Sequence, residues 1–217
     1  MERSEIGIVI PAFNEEHTIS GVIRKCKEFG TPIVVDDGST DRTSEISNEE
    51  HAHVVRHDKN LGYDSALNSG FAAAEKIHCK YVITIDADGQ HDPRVLNTVI
   101  SLLDSGADIV IGIRNKRQRL AEHVFSLITR ILYGIHDPLC GLKGYKMDVY
   151  NKLGYFDSYN SVGTELMLFS ARNGCLIEQI PFGVRARKDH PRFGSKIYAN
   201  LKIFRSILLS LYLPIKK

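Results

Sequence analysis

A chain of 217 residues, 43% hydrophobic and 25% charged, reads as one globular domain of ordinary size, which excludes a disordered or low-complexity protein. Its four cysteines, Cys26, Cys79, Cys140 and Cys175, are too scattered for a disulfide scaffold or a zinc ribbon and suit a reducing compartment. The net charge of +2 is uneven: residues 182–217 hold nine of the 28 basic residues and one of the 26 acidic ones, a local +8 that points the tail at a phosphate, a nucleic acid or a membrane surface.

Short β-branched runs at 6–10, 33–35, 53–55, 81–85 and 109–113 are almost wholly apolar, as strands buried on both faces are. Helical patterns at 18–29, 43–50, 65–76 and 94–103 fill the intervals. Beyond Arg114 the pattern changes to a basic stretch, a helix at 121–133, a loop at 137–141, a helix at 162–173, a strand at 176–184 and a closing helix at 195–213. The alternation predicts a three-layer α/β domain on a central, largely parallel mixed sheet, with polar chemistry at the carboxyl ends of the strands. No run approaches the roughly 18–20 apolar residues of a membrane span. The short apolar run after Met1 contains Pro11 and is not expected to be a secretory leader.

Three strand ends carry the candidate chemistry. The first is Pro11-Ala12-Phe13-Asn14-Glu15-Glu16, where Asn14 is suited to cap the following helix. The second is Asp36-Asp37-Gly38-Ser39-Thr40-Asp41. Adjacent carboxylates on an extended chain point opposite ways, so one of the pair can accept from a nucleobase N–H and the other from a ribose hydroxyl. The third is Asp86-Ala87-Asp88-Gly89-Gln90-His91-Asp92-Pro93. Two carboxylates on one side of a strand repel unless a cation intervenes, and oxygen ligands suit magnesium or manganese. No Gly-rich loop ending in Lys-Ser/Thr is present, which disfavours a P-loop NTPase.

These segments, with Asn60-Leu61-Gly62-Tyr63 between the second and third, resemble the family 2 glycosyltransferases in order and approximate spacing. Within that family the likeness is to the dolichyl-phosphate mannose synthase and polyprenyl-phosphate glycosyltransferase branch. Gly112-Ile113-Arg114, residues 137–145 and Arg192-Phe193-Gly194-Ser195-Lys196 add to it. The resemblance implies a GT-A fold over residues 1–195, with a nucleotide-sugar half at 1–92, an acceptor half at 93–195 and a basic amphipathic helix at 196–217. It implies a donor site of Pro11, Phe13, Glu15, Asp36, Asp37 and Asp86. Arg187, Arg192 and Lys196 would close over the phosphates. It implies a divalent ion, Mg2+ or Mn2+, on Asp88 and Gln90, with Asp86 near the sugar or ribose and Arg114 facing a phosphate. Glu165 is the expected base should the acceptor be a hydroxyl, which makes Asp86, Asp88, Arg114 and Glu165 the expected catalytic set. Asp64 departs from the family, standing where many relatives have Gly.

The expected reaction is inverting transfer from a UDP- or GDP-sugar to a polyprenyl phosphate by an enzyme in the cytoplasm, peripheral on the cytoplasmic face of the membrane. No nucleic-acid partner is expected. The alternatives are a soluble transferase with a saccharide acceptor and a non-catalytic nucleotide-sugar-binding protein. In the closing helix, Ile197, Leu201, Phe204, Leu208 and Leu211 recur at steps of three and four, forming a stripe for either lipid or the protein's own core.

Overall fold

A computed structural model of the chain describes residues 1–89, 94–115, 119–183 and 196–212, the last of these by backbone alone at 196–199 and 210–212. The strands are β1 (Ile6–Ala12), β2 (Thr31–Asp36), β3 (His53–Arg56), β4 (Tyr81–Thr84), β5 (Ile109–Arg114), β6 (Lys143–Lys146) and β7 (Ile177–Phe182). The helices are α1 (Ile19–Cys26), α2 (Thr43–Glu49), α3 (Tyr63–Lys76), α4 (Val95–Asp104), α5 (Leu120–Tyr133), α6 (Met147–Leu153), α7 (Glu165–Arg172) and α8 (Lys196–Tyr212).

All seven strands join one sheet in the order β3-β2-β1-β4-β6-β5-β7. Neighbours are parallel except β6, which runs antiparallel to both β4 and β5. Successive side chains alternate between the faces. Ile8 and Ile10 of β1, Val34 of β2 and Val110 of β5 join the core under α1 and α4. Val9, Ile33, Val35, Ile109 and Ile111 join the core under α3 and α5–α8. The chain is therefore the expected three-layer α/β domain with a mixed, largely parallel sheet.

Three local readings change. β3 is half-exposed rather than buried on both faces, because it is the edge strand. Asn14 does not cap α1; it sits at φ +54° and its Oδ1 accepts from the Thr40 N–H at 2.9 Å, tying the first two strand-end loops together. β6 and α6 fill a stretch between the 137–141 loop and the next predicted helix to which the sequence assigned no element. β6 is only four residues long with a lysine at each end, so it shows no apolar run.

The closing helix has two apolar faces. Ile203 and Ile207 are buried with Ser206 against the body, while Leu201, Phe204 and Leu208 of the predicted stripe face outward. Ile197 and Leu211 have side chains outside the described residues.

Helix α3 reaches the sheet through Gly70, where a Cβ would run into Cγ1 of Val9. Gly70→Ala is expected to destabilise the fold by about 1–3 kcal/mol through overpacking, outweighing alanine's better helix propensity. Thermal unfolding followed by circular dichroism should show a midpoint several degrees lower; an unchanged midpoint would mean that β1 yields.

Candidate active site

The carboxyl ends of β2, β1 and β4 lie side by side, with Ala12 paired to Asp36 and Val9 to Thr84. Between the first two, the loops are stitched by short polar bonds. The Asn14 N–H donates to Ser39 Oγ at 2.8 Å, the Glu15 N–H to Thr43 Oγ1 at 2.7 Å and the Glu16 N–H to Asp41 Oδ2 at 3.2 Å. Pro11 and Phe13 are half-buried at this junction. Glu15 is buried, and its Oε2 accepts from Thr18 Oγ1 at 2.9 Å.

Asp36 and Asp37 are both buried but differ in what they do. Asp37 is engaged by the protein itself: Oδ1 meets His57 Nδ1 at 2.7 Å and the Leu61 N–H at 2.9 Å, and Oδ2 accepts the Gly62 N–H at 2.8 Å. It fixes the turn that launches α3. Asp36 Oδ1 accepts the Ser39 N–H at 2.9 Å, while its buried Oδ2 makes no hydrogen bond and has Arg56 Nε 3.6 Å away. The two carboxylates thus differ in their protein partners: Asp36 keeps an oxygen with no hydrogen bond, while Asp37 supports the loop.

Asp86 and Asp88 follow β4, each half-buried. Gly141 lies against Asp86 so closely that a Cβ there would occupy the space of its carboxylate. This contact comes from the loop that leads into β6. Thr84 Oγ1 donates to the Gly141 carbonyl at 2.6 Å, and the Lys143 N–H donates back to Thr84 Oγ1 at 3.2 Å. Lys143 itself is buried, and its Nζ donates to the Gly163 carbonyl at 2.9 Å. Burial pushes this ammonium down to about 8, against the opposing pull of nearby anionic groups that include Asp86. Tyr63 lies near Asp86 and Asp64, and burial followed by those two charges pushes its phenol up.

Two expected catalytic residues have protein partners of their own. Arg114 binds Asp137 through Nε at 2.8 Å and Nη2 at 2.9 Å, and reaches Glu122 at 3.3 Å. These bonds tie the end of β5 to the 137–141 loop and to α5. Glu165 is buried at the start of α7, and its Oε2 accepts the Ser158 N–H at 2.5 Å while Ser158 Oγ donates to both oxygens at 2.9 and 3.0 Å. Gln90, Arg187 and Arg192 lie outside the described residues, as does the side chain of Lys196.

Sequence reasoning missed Lys143, Gly141 and Thr84. A lone lysine between Leu142 and Gly144 has no signature; only the antiparallel return of β6 brings it to the β4 end. Asp64, singled out as a departure, is buried, and its Oδ1 accepts the Gly163 N–H at 2.6 Å.

The pattern of glycosyl transferase family 2 matches residues 7–161. The chain belongs to this family. A relative in Methanocaldococcus jannaschii, itself uncharacterized, is 30% identical over 226 residues, covering 96% of this chain and 93% of that protein. The polyprenol monophosphomannose synthase of Mycolicibacterium smegmatis is 26% identical over 207 residues, covering 83% of this chain and 77% of the synthase. Among solved structures, glucosyl-3-phosphoglycerate synthase from Mycobacterium tuberculosis, in complex with Mn2+, UDP-glucose and glycerol 3-phosphate, superposes with a TM-score of 0.78 at 25% identity, covering 96% of this chain and 80% of that one. The fold of this family 2 member is accordingly of the GT-A type.

Because Gly141 forms the bed of Asp86, Gly141→Ala should displace that carboxylate while leaving the sheet intact. Sugar transfer is expected to fall at least about tenfold, a barrier change of ~1.4 kcal/mol, with a thermal midpoint near that of the wild type. Transfer at the wild-type rate would mean that Asp86 does not need this bed.

Proposed function

We propose that the protein transfers a sugar, with inversion, from a UDP- or GDP-sugar to a polyprenyl phosphate. The reading is carried by one observation: Asp36, Asp86 and Asp88 stand at the carboxyl ends of strands in one parallel set, β2-β1-β4, where an open α/β sheet receives its ligand. Residues 1–92 hold the nucleotide sugar and residues 93–195 the acceptor in this account.

Asp36 Oδ2, which makes no hydrogen bond of its own, supplies an acceptor for a base N–H, and Phe13 supplies an apolar surface nearby. Asp86 is assigned to a sugar or ribose hydroxyl. Hard carboxylate oxygens spaced two residues apart suit Mg2+ or Mn2+. Among the described residues no three ligand side chains form a complete cage. That fits an ion held by Asp88, with Gln90 beyond the described residues, and with places left for diphosphate oxygens. When bound, such an ion neutralises charge growing on the leaving diphosphate. Arg187, Arg192 and Lys196 are assigned to the same charge.

The acceptor assignment draws on the relative named polyprenol monophosphomannose synthase and on Glu165. Glu165, the base that a hydroxyl acceptor would need, already accepts hydrogen bonds from Ser158. A phosphate oxygen is already anionic near neutral pH and needs none. A polyprenyl chain stays in lipid, so the protein must meet a bilayer, here assigned to its cytoplasmic face. Among the described residues no helix is long and apolar enough to cross one. Peripheral contact through α8 is supported by Leu201 at 61% and Leu208 at 58% exposure, beside exposed Arg205. Helix α5, packed on α8 through the Ala121 N–H bond to Asn200, adds Leu127 and Ile131 at 59% and 73% exposure. Apolar side chains with cations around them suit an anionic lipid surface.

A screen of UDP- and GDP-sugars with manganese and a short polyprenyl phosphate tests the reaction. The expected result is a lipid-linked sugar with one donor, abolished by a chelator and by Asp88→Ala. Transfer to a saccharide alone would favour the hydroxyl-acceptor alternative, and donor binding without any transfer the non-catalytic one.

Vesicle sedimentation tests the membrane contact. Wild-type protein should sediment with phosphatidylglycerol vesicles at low salt and release at high salt. Leu201→Glu/Leu208→Glu should stay in solution with an unchanged thermal midpoint. Wild-type protein that ignores these vesicles would refute the contact.

A further inference from the structure

Asp64, the residue of α3 that departs from the family pattern, is buried between two parts of the chain. Its Oδ1 accepts the Gly163 N–H at 2.6 Å. Its Oδ2 has no hydrogen bond, and Lys202 Nζ of α8 stands 3.6 Å from it. Two more side chains of α8 reach the same loop. Arg205 Nη1 donates to the Tyr159 carbonyl at 2.9 Å, and Ser206 Oγ, which donates to the Lys202 carbonyl at 2.9 Å, also reaches the Asn160 carbonyl at 3.3 Å. The loop takes positive φ at Asn160, Val162 and Gly163. A β-branched residue such as Val162 holds that conformation only under constraint. At the loop's end Gly163 faces Tyr63, whose Cε1 a Cβ would meet at 3.3 Å, and its carbonyl accepts from Lys143 Nζ at 2.9 Å. One side of α8 therefore constrains this loop, while Leu201, Phe204 and Leu208 point outward from the other.

We propose that Asp64 and Lys202 form a latch tying α8 to the 159–163 loop, so that α8, once seated on an anionic lipid surface, holds this loop in its strained conformation beside Tyr63 and Lys143. In the latch Lys202 serves the protein and not the lipid. A buried carboxylate deprived of its counter-charge costs more than one lysine gains at an anionic surface. Opening the loop and lifting α8 break the same contacts, so lipid that quiets the helix also quiets the loop. The inference rests on the membrane contact proposed above, but the latch itself is tested without lipid.

The test is hydrogen–deuterium exchange of the full chain, read by mass spectrometry on peptides covering 157–164 and 200–208. Lys202→Met keeps the apolar stem and removes the charge; without lipid it should speed exchange in both peptides at least about fivefold. Lys202→Arg should keep the wild-type rates. Adding Asp64→Asn, which still offers an oxygen to the Gly163 N–H, should slow Lys202→Met back to within about twofold of wild type, because no unmatched charge remains. Unchanged exchange in Lys202→Met would overturn the latch, as would a change in one peptide alone or a failure of Asp64→Asn to compensate. Should Lys202→Met not fold, folding of the double variant would support the pair and its failure would overturn it. With phosphatidylglycerol vesicles at low salt, exchange in the wild-type 157–164 peptide should slow at least about fivefold. Lys202→Met should sediment with the same vesicles to within about twofold of wild type, yet show no such slowing. Loss of vesicle binding in Lys202→Met would give the lysine to the lipid and overturn the proposal. Wild-type protein that sediments without slowing would overturn the lipid coupling. Wild-type protein that does not sediment would refute the membrane contact and the coupling with it, while the lipid-free rates still decide the latch.

Discussion

The antiparallel return of β6 beside β4 is the constraint on which the site depends. A purely parallel sheet would leave the end of β4 bordered by loops. Here a strand of only four residues and the loop leading into it bring Gly141 against Asp86 and Lys143 against Thr84, whose Oγ1 bonds to both. The same strand accepts α4 at close range, since a Cβ on Gly144 would meet Val99 and Leu103. Packing of α4 and placement of Asp86 therefore draw on one short element.

A second set of contacts reaches the site from the opposite direction. Asp64 and Lys143 hold Gly163 from both sides, the first accepting its N–H and the second donating to its carbonyl. The segment they hold is strained: Asn160 and Val162 both take positive φ, at +58° and +60°. For a β-branched residue that geometry costs on the order of 1–3 kcal/mol and persists only where surrounding contacts enforce it. Ser161 supplies more, donating to Asp157, whose carboxyl is pushed up to about 6 by burial and then by the charge of Asp64. Helix α8 closes the set, with Lys202 Nζ 3.6 Å from Asp64 Oδ2 and Arg205 Nη1 donating to the Tyr159 carbonyl. The helix with the outward apolar stripe is thus also bonded to the loop behind the aspartates.

Much of this was legible in the sequence, for physical reasons. Strands buried on both faces, such as β1 and β2, are continuous apolar runs, and the alternation with helices dictated the layered fold. The strand-end motifs located Asp36, Asp86 and Asp88 because turn glycines and paired carboxylates leave a local signature. What was not legible depends on long-range return of the chain. Nothing near Glu165 foretells that Ser158 takes both its oxygens, nor does anything near Arg114 announce Asp137 as its partner 23 positions on. Asp64 was visible as an oddity, but its partners, Gly163 and Lys202, come from two distant segments. The stripe on α8 was read correctly as a stripe, yet periodicity could not show that Ile203 and Ile207 on another face already anchor the helix.

The central claim is that the carboxyl end of β4 is a metal-assisted nucleotide-sugar site in which the two aspartates have different duties. Its most direct test is an anomalous difference map, collected at the manganese edge, from crystals grown with MnCl2 and soaked with UDP or GDP. The account predicts a peak in coordination range of the Asp88 carboxylate, with Asp86 still on Gly141 and away from the ion. A peak elsewhere in the molecule, or an ion chelated by both aspartates, would contradict it.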